Sequence, residues 1–339
     1  MLDRKHEELG YAMESRAEEV VDALDSAIDD HIGDDILRLI FMTCHPVLSQ
    51  EARVALTLRL LGGLTTDEIA RAFLVPEPTI AQRIVRAKKT LRDAQVGFEV
   101  PRGDELAARI ASVLDVIYLI FNEGYASTSG DEWTRPKLCT DALRLGRVLA
   151  ALAPDHAEVH GLVALLEIQA SRLRARRGAS GEPVLLLNQN RAQWDQLLIR
   201  RGLVALARAE SLPEPGPFTL QAAIAACHAR AVTADATDWQ SISTLYGELA
   251  RAAPSPVVEL NRAVAVSMAD GPAAALPIVD ALAAGDALRG YHLLPAVRGD
   301  LLSRLGRTAE AKREFEAAAA LTRNDRERAL LLARIDAVG

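Results

Sequence analysis

Apolar residues recur at Ile80, Ile84, Ala87 and Leu91, an i, i+4, i+7, i+11 pattern that falls within about 40° on a helical wheel. The pattern predicts a helix with one buried stripe. Opposite that stripe lie Thr79, Gln82, Arg83, Arg86, Lys89 and Thr90, all of them cations, amides or hydroxyls. From Pro78 to Arg92 there are five cations (Arg83, Arg86, Lys88, Lys89 and Arg92) and no carboxylate. Upstream, Ile69 and Phe73 give a shorter segment an apolar side. Thr66 is expected to cap it, with Asp67 and Glu68 standing where the helix dipole favours acids. Residues 74–77 turn the chain, because the residue before each proline is pushed away from helical angles. Pro78 fits the first turn of the next helix, where its missing N–H loses no partner. Two short helices, a tight turn and a basic second helix predict a helix-turn-helix. An ordinary helical hairpin with a solvated face is the plainer reading of the same periodicity. The single sign of the charge and the short turn favour nucleic acid, since these are the groups that bond phosphates and base edges.

Helical periodicity continues beyond this motif. Ile110, Val113, Leu114, Ile117, Tyr118 and Phe121 predict a core helix, expected to end at Gly124. In the last third, Gly271 and Gly306 stand 35 residues apart. Each is expected to close a helix (260–268 and 296–305) and to precede an alanine-rich one. One more step back falls at Ala236, between two further helices. This is close to the 34-residue period of tetratricopeptide (TPR) repeats, and Leu305-Gly306, Ala311, Phe315 and Ala318 follow its small and large alternation. Three such pairs predict a short solenoid, with generic helical hairpins as the plainer alternative.

Composition agrees with a helical protein. Of 339 residues, 50% are hydrophobic but only 4% aromatic, which favours closely packed helices over sheets. The expectation is an all-α chain of two or three domains. Cys44, Cys139 and Cys227 are too far apart for a metal spacing and read as reduced core residues. No apolar run reaches a membrane span, and Asp3, Arg4, Lys5, Glu7 and Glu8 break any signal-peptide core. A cytoplasmic location with no membrane partner is expected. The net charge of −7 makes the basic stretch at 83–92 a local feature.

Candidate chemistry is sparse. His156 and His160 share a helix face, but the residue after His156 is Ala157 and the acid is Glu158, so the His-Glu-x-x-His metal pattern is not met. Arg172, Arg174, Arg176 and Arg177 cluster near a helix end, where the dipole favours cations. There is no phosphate-binding glycine loop, nucleophile elbow or convincing acid pair. No catalytic activity, cofactor or metal is expected.

A family resemblance rests on Ser49-Gln50-Glu51-Ala52-Arg53-Val54-Ala55-Leu56-Thr57-Leu58-Arg59-Leu60-Leu61-Gly62-Gly63-Leu64-Thr65-Thr66-Asp67-Glu68-Ile69-Ala70, then Pro78-Thr79-Ile80 and Arg83-Ile84-Val85-Arg86-Ala87-Lys88-Lys89. Over residues 34–95 this resembles region 4 of extracytoplasmic-function (ECF) sigma factors. The resemblance implies binding of the −35 promoter element and of the flap of RNA polymerase. It implies promoter-facing roles for Thr79, Gln82, Arg83 and Arg86, with Lys88 and Lys89 nearer the DNA backbone. Pro78 departs from the small residue, often glycine, usual there. Phe121-Asn122-Glu123-Gly124-Tyr125, and Gln189-Asn190-Arg191 through Trp194-Asp195, are similar to the extension of one such group, a large helical domain ending in TPR-like repeats. Residues 1–33 are acidic, with Tyr11 as their one aromatic, and read as a charged linker helix, so sigma region 2 is expected to be missing. The expected layout is that linker, region 4 over 34–96, a helical middle domain over 104–212 and TPR-like repeats over 218–339. The extension would regulate activity through an intramolecular or protein partner. The runner-up is a stand-alone helix-turn-helix regulator whose solenoid binds a ligand or protein, dimerising on a palindromic operator.

Overall fold

The computed structural model describes residues 35–338 apart from 37, 74, 102–103, 126–133, 179–181 and 323. The linker expected at 1–33 lies outside the described residues. Regular structure among the described residues is helical throughout, and the one isolated bridge pairs Arg177 with Pro183. This is the all-α architecture that composition predicts. By contacts the described residues form two compact units, one of 35–63 with 83–113, the other of 64–82 with 114 onward.

The first unit holds helical residues 38–43, α1 (Gln50–Leu60), the later part of α3 (Glu77–Asp93) and the start of α4 (Asp104–Tyr125). Ser49 caps α1 by accepting from the Ala52 N–H, which satisfies one of the free donors every helix start carries. Polar ties cross its core: Arg109 donates to the Phe41 carbonyl at 2.6 Å, Ser112 to the Cys44 carbonyl at 2.6 Å, and Arg53 to the Ser112 hydroxyl at 2.6 Å. Buried Thr43, Cys44 and Thr57 bond one another, and burial raises the Cys44 thiol pKa. Cys44 and Cys139 are buried free thiols and Cys227 is half-buried, in line with reduced core residues.

In the second unit, α5 (Pro136–Leu152), α6 (Ala157–Ala170), α7 (Gln196–Ser211) and α8 (Pro217–Arg230) pack around α6, which is buried along most of its length. Proline in the first turn starts α5 and α8, and Asp195 caps α7 by accepting from the Leu197 and Leu198 N–H groups. Glu158 proves structural. Its carboxylate accepts from the Gly216, Phe218 and Thr219 N–H groups and from the Thr219 hydroxyl, so an acid on α6 caps the N-terminus of α8. Buried Glu167 pairs with Arg147 at 2.7 Å.

The predicted stop at Gly124 is corrected. Helix α4 runs on to Tyr125, and what Gly124 provides is clearance. A Cβ there would stand 2.8 Å from the Cys139 nitrogen and 2.9 Å from the Arg135 carbonyl oxygen, so only glycine lets the start of α5 approach this closely.

Beyond Asp238, which caps α9 through the Ser241 N–H, helices follow in succession. They are α9 (Trp239–Ala252), α10 (Pro256–Ala269), α11 (Pro272–Ala284), α12 (Leu293–Arg304), α13 (Thr308–Leu321) and α14 (Asp325–Val338). Each packs on the next. Helices α10 and α12 close ahead of Gly271 and Gly306, as the 35-residue spacing predicts. Both glycines turn the chain at positive φ, 93° and 75°, where a side chain is strained. One core joins α10 through α14, with Leu260, Val279, Leu302, Phe315 and Leu331 in it. Arg298 ties this end together by bonding Asp280 and Glu314.

Phe315 is 1% exposed, with the Arg334 guanidinium 5.1 Å from its ring centre. Replacing it with alanine is expected to cost about 3–5 kcal/mol of stability. In hydrogen exchange, protection is expected to fall mainly in α11–α14, because successive helices contact chiefly their neighbours. Equal loss of protection in α1 and α3 would contradict this segmental packing.

Candidate nucleic-acid interface

The basic helix is α3 (Glu77–Asp93). Its predicted stripe is buried: Ile80 0%, Ile84 7%, Ala87 2% and Leu91 6% exposed. Thr79, Gln82, Arg86, Lys88 and Lys89 are exposed. Arg83 is a partial exception, being half-buried. It stands at the edge of the polar arc, about 60° from Ile80 on the wheel. The Glu51 carboxyl is held below the usual range by its own N–H first and the Ser49 hydroxyl next, with a smaller contribution from the Arg83 charge. Lys89 pairs with Asp93 at 2.8 Å, four residues on, which keeps the Asp93 carboxyl below its ordinary pKa. Val85, 66% exposed, adds an apolar group beside the cations. It is a residue that polarity-based reading passes over.

The cap of the preceding helix α2 (Thr66–Phe73) is also corrected. Thr65 caps it, and Thr66 is its first residue. The Glu68 N–H donates to the Thr65 hydroxyl at 3.1 Å, and the Thr65 N–H donates to the Glu68 carboxylate at 2.8 Å. This reciprocal box satisfies two free donors at once, and its signature Thr65-Thr66-Asp67-Glu68 stands in the sequence. The turn closes with Val75 N–H donating to the Ala70 carbonyl and Thr79 N–H to the Pro76 carbonyl. Pro78 therefore sits within the first turn of α3, as expected.

Glu68 has a second role, because its other oxygen accepts from Lys137 at the start of α5, at 2.5 Å. That bond first, and the Thr65 bonds after it, hold the Glu68 carboxyl at about 2, against an ordinary 4.5.

The other candidates resolve differently. His160 bonds the Pro154 carbonyl oxygen at 2.8 Å. His156 sits at the N-cap of α6, its basicity lowered by burial. Among the described residues no three potential metal ligands converge. The arginine cluster follows the C-terminus of α6, as expected. Arg174 and Arg177 are exposed, but Arg172 is buried and Arg176 half-buried. The Arg176 guanidinium lies 3.8 Å from the centre of the Tyr125 ring, and Arg172 lies between Tyr125 and Trp194. Arg191 lies 4.7 Å from the centre of the Trp194 ring. The signal for this assembly was in Tyr125, Arg191 and Trp194, but nothing in their spacing says that they meet.

Comparison with known proteins agrees with the helix-turn-helix. Residues 38–91 match the family described as Sigma-70, region 4, and residues 109–210 match a family of unknown function, DUF6596. An uncharacterized protein of Rhizobium meliloti (strain 1021) is 46% identical over 330 residues, which is 97% of this chain and 77% of that protein. No solved structure matches. Region 4 defines the class, a DNA-binding transcription initiation factor. The chain belongs to the sigma-70 family and is homologous over nearly its whole length to that Rhizobium meliloti protein. Among the described residues no helix is long and apolar enough to cross a membrane.

The depressed Glu68 carboxyl contributes stability above its ordinary pKa of 4.5 and loses that contribution as pH falls through about 2. Replacing Glu68 with Gln is expected to lower the urea midpoint at neutral pH. The gap to the parent is expected to close as pH falls from 4.5 towards about 2. A gap that stays constant over that range would rule out the ion-pair contribution.

Proposed function

We propose that this chain supplies the region 4 part of an ECF sigma factor, with α3 laid on the −35 promoter element. Gln82, Arg86 and Thr79 meet base edges in the major groove, Arg83 grips from the edge of the arc, and Lys88 and Lys89 meet phosphates. The observation that carries this reading is the division of α3 into a buried apolar stripe and an exposed basic arc, within a chain that matches region 4. Arginine and glutamine suit bidentate contacts to guanine and adenine, and exposed Val85 suits a thymine methyl. The Lys89–Asp93 pair exchanges for a phosphate on binding, at little cost because the pair is exposed.

In the same reading region 4 also engages the RNA polymerase flap, in the cytoplasm. The domains would divide at 34–96, 104–212 and 218–339, the last a TPR-like solenoid, and the extension would regulate activity through protein contacts. The Lys137–Glu68 bond supports such coupling, because it joins the first helix of the helix-turn-helix to α5.

Changing Arg83 and Arg86 together to alanine is expected to weaken binding to a duplex selected from a promoter library by about 2–5 kcal/mol. The same change is expected to flatten the salt dependence by about two counterions. Arg200→Ala, an exposed cation on α7, is the control and is expected to change little. Equal losses from both variants, titrated at two salt concentrations, would overturn the assigned face.

A further inference from the structure

Within the second unit, α4, α6, α8, α9 and α10 surround a cavity of about 280 Å³. Its apolar walls come from Phe121, Leu165 and Ile224, and Phe121 stacks on Tyr125 with ring centres 5.5 Å apart. Tyr118, Tyr125 and Tyr246 add phenols, and Asn122, Gln169, Gln221 and Asn261 add amides. None of the described lining residues is an aspartate or glutamate, whereas Arg172 and His228 both line it.

Arg172 is 8% exposed and His228 is 8% exposed. A buried guanidinium is costly unless its donors are used. Arg172 donates to the Tyr125 hydroxyl at 2.7 Å and to the Gln169 side chain, and its Nε is buried without a partner. The guanidinium carbon stands over the rings of Tyr125 and Trp194, 5.8 and 5.6 Å from their centres. The planar edge of a guanidinium is what a carboxylate or phosphate engages. The Nδ1 of His228 is likewise buried without a partner. Burial first, then the charges of Arg172 and Arg191, depress the His228 pKa to about 4, which keeps the ring neutral at physiological pH and able to donate one N–H. Arg191 is committed elsewhere, to the carbonyls of His228 and Ala231 and the hydroxyl of Thr237. It fixes the loop after α8 and adds positive potential.

We propose that this cavity is a binding site for a small organic anion, a ring-bearing carboxylate or phosphate monoester. Its oxyanion bonds the Arg172 guanidinium and the His228 ring, and its ring lies against Phe121, Leu165 and Ile224. The volume suits a small ligand, at the lower end of ordinary pockets. The lining amides and phenols match polar substituents, and the charge of Arg172, with no lining carboxylate beside it, disfavours cations. Such a site gives the extension a chemical input, and the ligand binds whether or not α3 is on a promoter.

The test uses the full chain with benzoate and phenyl phosphate as anionic probes and benzamide as the neutral match, by calorimetry and ligand-observed NMR. At least one anion is expected to bind saturably with a millimolar or tighter constant, about tenfold or more tighter than benzamide. Arg172→Gln is expected to abolish the preference for charge. Because Arg172 is buried and its replacement can unfold the site, Asn261→Trp is the second variant. Asn261 is exposed at the mouth, and the bulky ring is expected to block all three probes without changing the melting temperature. Equal binding of anions and benzamide, no saturable binding of either anion at millimolar concentration, or unchanged anion binding in a folded Asn261→Trp variant would each overturn the proposal.

Discussion

A helix that sinks one apolar stripe into a core has no freedom in what it shows on the other side, because 3.6 residues per turn ties the two arcs together. In α3 this constraint sets everything downstream. Burying Ile80, Ile84, Ala87 and Leu91 turns Gln82, Arg86 and Lys89 outward as one patch and leaves Arg83 at its margin. Rotating the helix to expose Arg83 fully would lift Ile80 or Ala87 out of the core, at about 0.8 kcal/mol per CH₂ exposed. The proposed promoter face is therefore held in place by ordinary hydrophobic burial, and the capping box of Thr65 and Glu68 holds the start of the preceding helix.

The extension solves a different problem with the same economy of residues. Aromatic side chains are few, and they gather where cations need them. The guanidinium groups of Arg172, Arg176 and Arg191 stand over the rings of Tyr125 and Trp194, a contact that gains strength where water is excluded. Elsewhere carboxylates do structural work inside the helical stack: Glu158 caps α8, and Glu167 meets Arg147. Gly124 admits α5 against the end of α4, and Tyr125 beside it reaches the arginines. Backbone clearance and the cation stack thus belong to one short segment, Phe121 to Tyr125.

Elements whose signal lies within a single helix were legible in the sequence. The α3 stripe, the turn at Pro76 and Pro78, and the closing glycines at 271 and 306 all follow from local periodicity and backbone preference. What failed depended on a partner distant in sequence. Gly124 reads as a helix stop until Arg135 and Cys139 are seen against it, and Arg172 and Arg176 read only as cations at a helix end until Tyr125 and Trp194 are seen beside them. The cap at Thr65, one residue before the expected Thr66, is a local error of another kind. Two adjacent threonines offer the same hydroxyl, and the reach back from Glu68 decides between them.

The central claim is that the polar arc of α3 lies against promoter DNA, and placing a photo-crosslinking amino acid on that arc tests it most directly. With p-benzoylphenylalanine in place of Gln82, irradiation in the presence of a bound promoter duplex is predicted to join protein to DNA. The same group in place of Val204, an exposed residue of α7, is predicted to give no crosslink. Equal crosslinking from the two positions, or crosslinking from 204 alone, would contradict the account.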